Sequence, residues 1–102
     1  MKQIINGKIY NTDTATKIHE QTSSLSRSDF NYCNETLYMT SIGNFFLEGE
    51  GGAMSRWAKS YGNTSTGGSG IQAISTDYAL IWCEEHDVDV DLIEKYFDIK
   101  TA

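Results

Sequence analysis

The stretch Ile74–Asp98, ISTDYALIWCEEHDVDVDLIEKYFD, decides how this chain is read. Ser75 is a good helix N-cap, and Asp77 in the first turn meets the positive end of the helix dipole. Ala79, Trp82, Cys83 and His86 follow at i, i+3, i+4 and i+7, so they share one helical face. The spacing predicts an amphipathic helix over Ser75–His86, a break, and a shorter helix with Val90, Ile93 and Phe97 as its apolar stripe. The same stretch carries the charge. From Glu84 to Asp98, the acids Glu84, Glu85, Asp87, Asp89, Asp91, Glu94 and Asp98 stand against Lys95 alone, seven acids and one base, a net of −6. The whole chain is also −6, so everything outside this segment sums to zero.

Upstream the pattern is β. Asn6-Gly7 between Ile4, Ile5 and Ile9, Tyr10 is the dipeptide preferred in a tight type I′ hairpin. The threonine density after Asn11 favours a strand over about 15–21. Glu35–Thr40 and Phe45–Glu50 form the clearest strand pair, turning at Ser41-Ile-Gly-Asn44. Alternation puts Leu37 and Met39 on one face and Tyr38 on the other. Ala53–Tyr61 reads as two helical turns with Met54, Trp57 and Tyr61 at helical spacing. Gly62–Gly70 reads as a flexible surface loop, and Ile71–Ile74 as a last short strand. The expected fold is α+β: an antiparallel sheet of four or five strands packed on one main C-terminal helix, plus a short terminal helix.

A length of 102 residues, 39% apolar and rich in Tyr and Phe, describes one domain, 1–102, with a modest core. No apolar run approaches the roughly 20 residues that span a bilayer, and no leader pattern opens the chain, so a cytoplasmic setting with reduced cysteines is expected. The acidic balance, with a pI of 4.7, argues against direct binding to nucleic acid or an anionic membrane and favours a basic partner.

Candidate motifs are few. Gly49-Glu-Gly-Gly52 lacks the Lys-Ser/Thr of a P-loop and is flanked by Glu48 and Glu50, which would repel phosphate; a sharp turn is the better account. Asp87-Val-Asp-Val-Asp91 resembles the start of a calcium loop, but the sixth position is Leu92 where Gly is required. His19, Cys33, Cys83 and His86 are the right ligand types for one structural zinc ion, with Cys83 and His86 leaving one helical face together. The alternative is two buried cysteines acting as small apolar residues and two surface histidines. No nucleophile elbow or triad spacing marks an enzyme.

IINGKIYNTDTAT, SRSDFNYCNETLYMT, GNFFLEGEGGAMSRWA, NTSTGGSG and ISTDYALIWCEEH together resemble a family of small acidic proteins carried by phages and mobile elements of Firmicutes, which includes anti-CRISPR proteins. The resemblance implies a stoichiometric inhibitor, not an enzyme, that binds a type II RNA-guided CRISPR nuclease and blocks its nucleic-acid loading or cleavage. It makes Glu84, Glu85, Asp87, Asp89, Asp91 and Glu94 the expected contacts, with Glu48 and Glu50 as lesser ones and Tyr96 or Phe97 as an aromatic anchor. A monomer or weak homodimer is expected. The chain departs from the family's pattern at Cys83, usually a small residue there, and at His19. The competing expectation is a zinc-stabilised phage interaction or regulatory module with no nuclease target.

Overall fold

The computed structural model describes residues 1–26 and 28–102. The chain opens with a hairpin, β1 (Lys2–Ile5) and β2 (Lys8–Asn11), closed by Asn6 and Gly7 at φ 52° and 77°. Positive φ at both positions is what a type I′ turn needs, and Asn-Gly supplies it at low cost. β3 (Thr16–Thr22), β4 (Cys33–Met39), β5 (Phe45–Gly51) and β8 (Gly68–Ile74) form one antiparallel sheet in the order β3-β4-β5-β8. A third pairing, β6 (Lys59–Tyr61) with β7 (Thr64–Thr66), projects between β5 and β8. Two helices follow, α1 (Thr76–Glu85) and α2 (Val90–Tyr96).

The alternation seen in sequence now acquires two covers. Leu37, Phe45 and Leu47 face the helices and pack with Ala79, Trp82, Cys83, Val88 and Phe97. Phe46 and Ile71 face the other way, against Tyr10 of the hairpin, with Tyr38 and Ala73 beside them. Tyr38 stacks on Phe46 at 5.2 Å and Tyr10 meets it edge-on at 5.4 Å. Burying a side chain such as Leu37 or Phe46, both fully enclosed, contributes roughly 1.5–3 kcal/mol each. A bulge between Lys17 and His19 leaves Ile18 without a cross-strand partner and sends it into the helix-side core.

Three sequence expectations are corrected. Ala53–Tyr61 is not helical. Residues 52–58 form a strap of tight turns in which Ser55 Oγ donates to the Gly52 carbonyl and accepts from the Trp57 amide. Such local side-chain bonds compete with helix formation. Gly62–Gly70 is not a loose loop: Gly62, at φ 62°, turns β6 into β7, and Gly68–Gly70 lengthens β8. The third correction concerns the short helix. Val90 is exposed, and Val88, in the break, is the buried valine.

Candidate functional site

The acidic edge is built by the way α1 stops. Asp87 adopts φ 51°, and Val88 N donates to Cys83 O while Asp87 N lies 3.5 Å from Glu84 O. This is a Schellman-type stop with Asp in the place usually held by Gly, and Val88 is its buried apolar residue. Asp89 then caps α2, accepting from Asp91 N at 2.8 Å. Asp87, Val88 and Asp89 thus each have a local role in ending α1 or starting α2. The consequence is a continuous run of carboxylates along the C-terminal end of α1, the break and α2. Glu84, Glu85, Asp87, Asp89, Asp91 and Glu94 are all exposed.

Glu48 and Glu50 do not join them. They alternate with Leu47 and Gly49 along β5, so they lie on the hairpin side of the sheet, half-buried. Tyr32 Oη donates to Glu50 at 3.4 Å, and both residues line an open groove of about 410 Å³ with Lys59, Tyr61 and Ser69. Phe97 cannot be an anchor for a partner. It is buried and stacks on Phe45 at 4.9 Å. Tyr96 is partly covered, with Lys95 over its ring at 5.6 Å.

The four residues read as zinc ligands are not brought together as a set. His19 and His86 flank the Trp82 ring, at 5.8 and 4.7 Å between centroids. Both cysteines are free thiols. Burial pushes the Cys83 thiol up to about 11, with the Glu84 charge adding to it. Burial, and then the charge of Glu35, also raise Cys33. Among the described residues, no group of three or more His, Cys, Asp and Glu is placed to hold a metal ion.

The residue that sequence reading missed is Glu35. It is 6% exposed and faces the helices from β4. One carboxylate oxygen accepts from Trp82 Nε1 at 2.9 Å; the other accepts from Trp57 Nε1 at 2.8 Å and pairs with Arg56 at 3.1 Å. Arg56 also donates to Gln72 and to Tyr78 Oη, and lies 5.2 Å from the Trp57 ring centre. A buried charge is tolerable only when it is paired and hydrogen-bonded. Glu35 is both, and it joins β4, the strap and α1 through three partners. Its partners lie 21, 22 and 47 positions away, so no spacing rule could have linked them; only its place inside an apolar strand was a signal.

No known protein family, curated protein or solved structure matches this chain. No helix is long and apolar enough to cross a membrane.

Proposed function

We propose that this protein is a stoichiometric binding protein that docks its acidic helical edge on a basic, nucleic-acid-binding surface of a type II CRISPR nuclease. One observation carries the docking surface. Six carboxylates of one short segment, Glu84 to Glu94, are exposed, and the described ion pairs lie elsewhere, at Lys17–Glu20 and Arg56–Glu35. Carboxylates spaced along two short helices offer a Lys/Arg-lined groove what phosphates otherwise offer. The nuclease as target rests on the sequence resemblance. Rim charges of this kind chiefly accelerate association and set specificity, so the apolar residues among them, Ile81 and Val90, are the contacts that add affinity.

The test is a pull-down against purified type II effector, with and without guide RNA, at two salt concentrations. Capture at low salt that falls as salt rises, and that competes with nucleic acid, is the expected result. No capture of the effector in either state, at any ionic strength, removes the nuclease from the proposal.

A further inference from the structure

The N-terminal hairpin turns an apolar face outward. Ile4 and Ile9 are directly paired across β1 and β2, yet they are 69% and 63% exposed. Tyr10, in the next pair, turns inward and seats the hairpin on Phe46, with Ile5 beside it. Ile9 and Ile42 line one groove of about 300 Å³, and Ile42 is 80% exposed. Lys2 shares the outward face with Ile4, and Lys8 lines the same groove as Ile9 and Ile42. At the Lys2 end the Met1 ammonium, which donates to Thr12 Oγ1, offsets Asp13, the one acid in the first 15 residues. The patch is therefore apolar at its centre and basic at its rim.

The helical side carries the complement. Ile81 stands on the outward face of α1, with Asp77 four residues before it and Glu84 and Glu85 three and four after it. Val90 opens α2 between Asp89 and Asp91, one turn before Glu94. This patch is also apolar at its centre, but its rim is acidic. The helices cover the Leu37–Leu47 face of the sheet and the hairpin covers the Phe46 face. The two patches accordingly look in opposite directions.

We propose that the hairpin face is a docking site for the acidic helical edge of a second copy of this chain, giving a head-to-tail contact. Two unlike patches on opposite sides make a heterologous interface, which leaves a free patch of each kind at the ends and so adds further copies. Exposed isoleucines, which soluble chains keep few and scattered, are covered on one copy as the acidic rim meets Lys2 and Lys8 of the other. Because the assembly uses the same acids as the proposed nuclease contact, self-association and nuclease docking exclude one another.

The experiment uses the protein alone, without nuclease, so its outcome is separate from that of the function proposed above. Sedimentation velocity is run from about 10 μM to about 1 mM, the range suited to a small, weak interface. Two one-sided variants are compared with the parent chain: Ile9→Asp on the hairpin, and Glu85→Lys/Glu94→Lys on the helices. Ile4→Asp serves in place of the first if that variant is not folded by circular dichroism. The parent chain is expected to grow in average mass beyond a dimer, and each variant to stay monomeric. An equimolar mixture of the two variants, each keeping one good patch, is expected to form a capped dimer and nothing larger. A monomeric parent chain at every concentration overturns the proposal. So does a helix-side variant that still assembles, which would mean hairpin pairs with hairpin, and so does a mixture that stays monomeric.

Discussion

The Trp57 ring occupies the space above Gly49. A Cβ built on Gly49 would overlap the indole at Cε2, Cζ2 and Nε1. Gly49 is also the cross-strand partner of Glu35. The missing side chain on β5 therefore lets the strap lie flat on the sheet, with the Trp57 N–H reaching the Glu35 carboxylate beside it. Gly49→Ala should cost at least about 2 kcal/mol, at the upper part of the usual range for forced overpacking. Urea denaturation followed by tryptophan fluorescence measures it. An unchanged midpoint would mean that Trp57 does not hold this position.

Glu35→Gln should be more damaging than its small change in shape suggests. A neutral amide offers one acceptor oxygen where two indole N–H groups and a guanidinium converge. One donor would then face an NH2 group, and Arg56 would lose its counter-charge. A loss of about 2–3 kcal/mol follows from leaving an indole donor unpaired at a buried carboxylate; the partly exposed Arg56 adds less. Trp57→Phe removes one donor and leaves the charge pair, so its hydrogen-bond cost should be nearer 1 kcal/mol. The two variants are ranked by their urea midpoints, and the reverse order would refute this account of Glu35.

The docking surface is best tested away from residues that shape the backbone. Asp87 holds a left-handed conformation and Asp89 caps α2. Replacing the cap alone costs about 0.5–2 kcal/mol. Glu84→Lys, Glu85→Lys, Asp91→Lys and Glu94→Lys combined should abolish capture of the nuclease while the melting temperature moves by only a few degrees. Full capture by this variant would place the interface elsewhere on the molecule.

The thiols give a pH prediction. Cys83 is raised from its ordinary 9.0 to about 11 by burial and by Glu84. Between those values the unfolded chain has released the thiol proton and the folded chain still holds it. The contribution of Cys83 to stability is thus complete below pH 9 and declines as pH rises toward 11. The slope of stability against pH over this window should be shallower in Cys83→Ala than in the parent chain. At pH 8, alkylation should reach partly exposed Cys33 first, and Cys83 only when the protein unfolds.

Chelator should leave the melting temperature unchanged, because the two histidines pack on the Trp82 ring and, among the described residues, no three candidate ligands stand together. About one equivalent of zinc in the purified protein, lost in Cys83→Ser, would require a different arrangement of these four side chains.

Much was legible in the sequence because its signals are local. Asn6-Gly7 fixed a turn, the alternation over Leu37–Met39 assigned faces, and Ser75 placed the start of α1, whose amide of Tyr78 bonds to the serine oxygen. The acidic segment was visible as a run of residues, and its exposure follows from α1 burying Ala79, Trp82 and Cys83 and α2 leaning Leu92 and Ile93 on the same core. The strap was misread as a helix because Met54, Trp57 and Tyr61 have helical spacing; Ser55 and the space over Gly49 decided otherwise.

Nothing local told Glu35 from an ordinary strand carboxylate, told Val88 from Val90, or separated Glu48 and Glu50 from the other acids. Sequence by itself determined which short segments bend, alternate or carry charge, since those depend on neighbours a few residues apart. Only the tertiary structure decided which carboxylate is buried between two tryptophans and which face water, because burial and partnering are set by segments up to 47 positions away.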